Sequence, residues 1–225
     1  MSVEWYDMIA KRNGGYKGGY ISSTEGKSAE EVFEQRLVEM LPRFHSVMDA
    51  GCGHGEFTLK MSEHAEKIIG FDNSTELLKI ALGLLEASNT NNVEFVFATT
   101  KEEMPFSDGE FDLIYDRRGP TSIINHSRIL KSGGTIFGIH NSVDKVEDYL
   151  HQNRFQNIEI EKYNEAITYI PNRIEFAKFL SCIPGNPDFT LPEYEEELER
   201  KIGENTINGK IAVKELKYIW KAIKP

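Results

Sequence analysis

The chain has 225 residues, 40% of them hydrophobic and 28% charged, a balance that excludes intrinsic disorder and buries a full core without disulfides or a structural metal. With 36 acidic residues against 26 basic ones the formal charge is −10, the wrong sign for a protein that grips phosphate backbones, so nucleic acid is disfavoured as a partner. Cys52 and Cys182 make neither a disulfide framework nor a zinc-ligand spacing, so no metal is expected, and a reducing cytoplasm is the expected location.

The opening MSVEWYDMIAKR has no apolar signal core, and no apolar run approaches membrane-span length. Residues 1–27 carry Trp5, Tyr6, Tyr16 and Tyr20 with Gly14, Gly15, Gly18 and Gly19 between them, which predicts a short helix and then a flexible aromatic segment. Ser28-Ala29-Glu30-Glu31 is a capping-box pattern. Phe33, Leu37, Met40 or Leu41 and Phe44 follow on one helical face, ended near Pro42.

From Ser46 the pattern becomes short buried strands alternating with helices. Strands are expected at Val47–Ala50, Ile68–Phe71, Val93–Phe97, Phe111–Tyr115, Thr135–His140 and Ile158–Tyr163, with a last one at Leu216–Ile223. Between them Phe57 and Met61 mark the core side of one helix, Ser74 caps the next, Pro120 opens another, and Val143–Gln152 forms a fourth. A turn is expected at Lys131-Ser132-Gly133-Gly134. This alternation predicts a seven-stranded, mostly parallel α/β sheet with helices on both faces. After residue 164 it stops, and Asn172–Ile183 and Pro192–Ile202 look helical, which places a helical cap insertion at about 172–206. The expected layout is an N-terminal segment, 1–27, and one main domain, 28–225, that contains the cap.

The central motif runs Val47-Met48-Asp49-Ala50-Gly51-Cys52-Gly53-His54-Gly55-Glu56-Phe57. Glycines at such a strand-to-helix bend let backbone lie against a ligand, and the helix N-terminus offers free N–H groups. Asp72 ends the second strand, where a carboxylate can accept both hydroxyls of a ribose. A dinucleotide site wants a third glycine where Glu56 stands, and a carboxylate there would repel a pyrophosphate. Gly26-Lys27-Ser28 matches only the tail of a phosphate-binding loop, with Ile21 at the leading glycine position. What is left is an adenosyl ligand without phosphates.

The stretch Asp49-Ala-Gly51-Cys-Gly53-His-Gly55 resembles the first motif of the class I S-adenosylmethionine-dependent methyltransferases. Asp72 is similar to their ribose-binding acid, Glu110-Phe-Asp112-Leu-Ile-Tyr115 to their fourth-strand motif, and Leu130-Lys-Ser-Gly133-Gly134 to the turn before their fifth strand. The resemblance spans roughly residues 30–165 and implies a Rossmann-like, doubly wound fold with S-adenosylmethionine as cofactor and S-adenosylhomocysteine as product. It implies a cofactor site at Asp49, Ala50, Gly51, Cys52, Gly53, Gly55, Phe57, Asp72, Asn73, Thr99, Thr100, Tyr115 and Asp116. The glycines would face the methionine part, Thr99 and Thr100 the adenine, and Tyr115 and Asp116 the methyl group. Two departures stand out: Ala98-Thr99-Thr100 replaces the family's usual adenine-binding Asp, and Asp116-Arg117-Arg118-Gly119-Pro120 is not the signature of enzymes that methylate base amines.

His140 and Asp116 are the candidate general bases, since both end strands on the ligand-binding edge. Arg117 and Arg118 leave that same edge and are candidates for an anionic, small-molecule substrate. Tyr16 and Tyr20 join them if the aromatic segment closes as a lid. An RNA-modifying methyltransferase and a non-catalytic adenosyl-binding regulator are the alternative functions.

Overall fold

The computed structural model describes residues 3–15 and 18–225. In chain order its elements are α1 (Val3–Asn13), β1 (Ser23–Glu25), α2 (Ala29–Met40), β2 (Val47–Ala50), α3 (Glu56–Ser62), β3 (Ile68–Asp72), α4 (Thr75–Ala87), β4 (Val93–Phe97), β5 (Phe111–Arg117), β6 (Leu130–His140), α5 (Asp144–Gln152), β7 (Gln156–Tyr163), β8 (Ile167–Ile170), α6 (Arg173–Ser181), α7 (Glu195–Glu204), β9 (Thr206–Ile207), β10 (Lys210–Lys214) and β11 (Lys217–Ile223). They form two compact units: Ala29–Tyr163 with Leu216–Pro225, and Met1–Ser28 with Asn164–Glu215.

The larger unit is the expected α/β sheet, seven strands in the order β4-β3-β2-β5-β6-β11-β7. Strands β4 to β6 run parallel, and β11 inserts antiparallel between β6 and β7. Alternation along β5 sends Leu113 and Tyr115 into one core and Ile114 into the other. Phe33, Leu37 and Leu41 from the α2 region close the first core, and Ile123, Ile124, Val146 and Leu150 close the second. Ser74 caps α4 as expected, its hydroxyl accepting from Leu77 N–H at 3.1 Å.

Three local features depart from the sequence expectation. The helix ending at Met40 tightens into a 3-10 turn at Leu41–Arg43, where Pro42 has no N–H to continue it, and Phe44 is extended. The segment after Pro120 is 3-10 rather than α-helical, Thr121–Ile129, with a kink at His126. The turn at 131–134 lies inside β6, where it shifts the β5–β6 register between Phe111 and Leu113.

The smaller unit pairs α6 and α7 with a four-stranded antiparallel sheet, β1-β8-β10-β9. Phe176, Leu180, Phe189 and Leu198 build its core. Helices at 172–183 and 192–202 are expected from the sequence, but this sheet is not. One of its strands, β1, comes from the segment expected to be flexible and pairs Ser23–Glu25 with Ile167–Tyr169. No described helix is long and apolar enough to cross a membrane.

Candidate functional site

Strands β2, β3 and β5 lie side by side and parallel, so the glycine bend, Asp72 and Asp116 meet at one carboxyl edge of the larger unit. At the bend, Gly51 N–H and Cys52 N–H both donate to Phe71 O, at 3.0 and 2.9 Å. The three glycines serve different ends. A Cβ on Gly51 would meet Pro120 at 2.8 Å, and one on Gly55 would meet Phe95 at 2.6 Å and Ala81 at 2.8 Å. Gly53, with φ +58°, has nothing within 4 Å of that position. Two glycines therefore admit neighbouring protein, and Gly53 alone lies open.

Asp72 ties the bend down: Oδ2 accepts from Gly53 N–H at 2.9 Å, and Oδ1 accepts from Ser74 N–H at 2.9 Å. This tether comes in addition to the expected sugar-facing role. Asp49 and Cys52 point inward. Thr58 Oγ1 donates to Asp49 Oδ2 at 2.7 Å, and burial pushes the Asp49 carboxyl up to about 6 against that bond and the Arg117 charge. Burial also pushes the Cys52 thiol well up, and its Sγ fills the space beside Gly70. Thr99 Oγ1 accepts from Lys101 N–H at 3.3 Å, and the Thr100 hydroxyl shares a 2.7 Å hydrogen bond with Ser122. Asn73 follows Asp72 on the same edge, half-buried.

Asp116 is fully buried. Its Oδ1 accepts from Gly119 N–H at 2.5 Å, while Oδ2 has no hydrogen-bond partner among the described residues. Burial raises the carboxyl, opposed by His140 and the Gly119 N–H. Gly119 lies so close to β2 that a Cβ would fall 2.0 Å from Ala50 O.

His140 and Trp220 complete this wall. Trp220 Nε1 donates to His140 Nδ1 at 3.0 Å, and the two rings stack 5.9 Å apart. An indole nitrogen only donates, so Nδ1 carries the lone pair and the imidazole proton sits on Nε2. Nε2 lies 3.3 Å from Gly119 O and 3.4 Å from Asp116 Oδ1. In this tautomer the Nδ1 lone pair is engaged by the Trp220 indole and Nε2 faces Gly119 O, an arrangement that gives His140 a positioning role in the wall. The ring holds Gly119 O while Asp116 holds Gly119 N–H. Sequence reasoning missed Trp220 because its partner lies 80 residues away, although its place on the last strand was visible.

Glu30 was missed as well. Arg117 Nε donates to its Oε2 at 2.9 Å, while Arg118 Nε and Lys217 Nζ lie 3.1 and 2.9 Å from its Oε1. Burial alone would raise this carboxyl; the charges of Arg118, Lys217 and Arg117 overcome it and bring it to about 2. Phe57 lies edge-on to Tyr115 and directly under the Arg117 guanidinium, 4.2 Å from ring centroid to Cζ. Of the two expected tyrosines, Tyr20 belongs to the smaller unit, where it packs edge-on to Phe179 at 5.2 Å, and Tyr16 lies outside the described residues.

Residues 45–151 match a family described as a methyltransferase domain. Over 107 residues the chain is 33% identical to the demethylmenaquinone methyltransferase of Lactococcus lactis, a match that covers 43% of this chain and 42% of that protein. Over 70 residues it is 34% identical to the uncharacterized methyltransferase YcgJ of Bacillus subtilis, covering 31% of this chain and 27% of that one. The chain therefore matches less than half the length of these curated relatives. A protein of unknown function from Deinococcus radiodurans R1 has a similar fold, with TM-score 0.70 at 22% identity over 99% of this chain and 100% of that one. Strand order and the glycine bend agree with the match over 45–151: these residues form a methyltransferase domain of Rossmann-like fold.

Proposed function

We propose that this protein transfers a methyl group from S-adenosylmethionine to a small-molecule acceptor and releases S-adenosylhomocysteine. The observation that carries the proposal is the open backbone at Gly53, clamped by Asp72 at the carboxyl edge of β2 and β3. The residues present fit the cofactor. Gly53 leaves room for close approach, Asp72 stands beside that space at the end of β3, and the buried Oδ2 of Asp116 makes no hydrogen bond to the described residues. Asn73, Thr99 and Thr100 border the adenosine end in this assignment, and Tyr115 and Asp116 the reactive end.

When bound, the cofactor would supply a methyl carbon on a cationic sulfur, a leaving group that would keep the S–C electron pair as the carbon joined the acceptor. The chain's own task is alignment and exclusion of water. Asp116, His140 and Trp220 fix the backbone of Gly119 and so set the wall beside Gly51. When the acceptor carries a proton, Asp116 Oδ2 is the available acceptor for it.

Calorimetric titration with S-adenosylhomocysteine tests the proposal, with binding at micromolar affinity expected. Loss of that heat, together with tight binding of a nicotinamide dinucleotide, would overturn it. Binding without methyl transfer to any metabolite extract would instead identify a non-catalytic adenosyl-binding protein.

A further inference from the structure

Arg117 and Arg118 engage Glu30 in an unusual way. Each uses only Nε, at 2.9 and 3.1 Å, and Lys217 shares the same carboxylate at 2.9 Å. A carboxylate and a guanidinium normally meet through two parallel N–H···O bonds. Here the side-on contact leaves the Nη1–Nη2 end of both arginines making no hydrogen bond to the described residues. Those ends are reachable, since the side chains are 31% and 42% exposed.

The Arg117 fork and the Arg118 backbone are also held. Phe57 supports the Arg117 plane from below at 4.2 Å. Arg118 sits in the left-handed region, φ +63°, with its N–H donating to Ile139 O at 3.1 Å. A non-glycine residue in that conformation costs free energy and persists only where the surroundings enforce it, which recurs at ligand clamps. Glu30 is spent on holding three cations, so its role is that of a tether.

We infer that Arg117 and Arg118 form an anion-recognition site, held in place by Glu30 and Phe57, that takes a carboxylate or phosphate group at the carboxyl edge of the sheet. Planar, preorganised forks suit such a group better than point charges do. The anion has two possible sources, the amino-acid carboxylate of the methyl donor or an acidic acceptor; only this question of source rests on the methyl-transfer proposal.

The test titrates inorganic pyrophosphate and malonate into the full chain by calorimetry at fixed ionic strength. Arg117→Lys and Arg118→Lys keep the charge beside Glu30 but remove the fork, and each is expected to weaken anion binding at least tenfold. Should either variant lose its circular-dichroism signal, anion-induced shifts of the arginine Nη resonances in the unaltered chain provide the same answer. Equal affinity in the chain and both variants, or no anion binding with unshifted Nη resonances, overturns the inference. The same titration with saturating S-adenosylhomocysteine or 5′-methylthioadenosine then assigns the source. Exclusion by the first but not the second gives the anion site to the donor's carboxylate; binding alongside both gives it to the acceptor. Anion binding in a chain that binds neither nucleoside sinks the methyl-transfer proposal and leaves the anion site standing.

Discussion

Replacing Gly53 and Gly55 separately with alanine distinguishes a backbone kept bare for a ligand from one kept bare for packing. Both residues hold left-handed φ, +58° and +78°, where an alanine costs about 1–2 kcal/mol. At Gly53 the new methyl meets nothing of the protein within 4 Å, so the stability loss stops near that figure. At Gly55 the methyl meets Phe95 at 2.6 Å and Ala81 at 2.8 Å, which adds a further ~1–3 kcal/mol of overpacking. Urea denaturation is therefore expected to show Gly55→Ala as the less stable variant by about 1–3 kcal/mol. Titration with S-adenosylhomocysteine is expected to reverse that order, with Gly53→Ala losing at least tenfold in affinity because its methyl occupies the open face. If Gly53→Ala bound the nucleoside as well as the unaltered chain does, the ligand would not lie where the structure leaves room for it.

Other outcomes follow from the charges and the buried wall. The Glu30 carboxyl lies at about 2 when folded against an ordinary value of 4.5, so the unfolded chain takes up its proton first. Its contribution, about 2–3 kcal/mol, is present above pH 4.5 and lost as pH falls towards 2; Glu30→Gln should remove that part of the acid-denaturation curve. Asp49 runs the other way, with a folded value of about 6 against 3.8. Stability tied to it is present below pH 4 and declines as pH rises through 6, and Asp49→Asn should flatten that decline in denaturation midpoints measured from pH 4 to 7. Trp220→Phe removes the donor to His140 Nδ1 and should cost about 1–3 kcal/mol in urea denaturation; an unchanged midpoint would show that this contact does not stabilise the folded chain.

The large sheet was legible because its strands are short apolar runs and its helices have marked ends. Val47–Ala50 is buried at every position, and Ser74 caps α4 as its hydroxyl predicts. The antiparallel sheet of the smaller unit gave no such signal. All three residues of β1 are exposed, β9 has two residues, and β10 buries only Ala212. Such strands lack the alternation by which a half-buried strand declares itself. At the candidate site the motif located the bend, Asp72 and Asp116, which are local in sequence. It did not separate Gly53 from Gly51 and Gly55, because that difference depends on Pro120 and Phe95, which come from other strands and loops. Nor did it show what His140 touches, since only the Trp220 indole reveals which ring nitrogen accepts.

The insertion of β11 between β6 and β7 has an evolutionary consequence. Tyr163, where the chain leaves the large sheet, is the direct ladder partner of Lys217, just after it returns. Opposed residues in such a ladder lie about 4.5–5.5 Å apart, so the whole excursion from 164 to 216 hangs from a neck as narrow as that of a hairpin. Whatever lengthening, shortening or replacement a lineage makes beyond that neck leaves the two flanking strands in register.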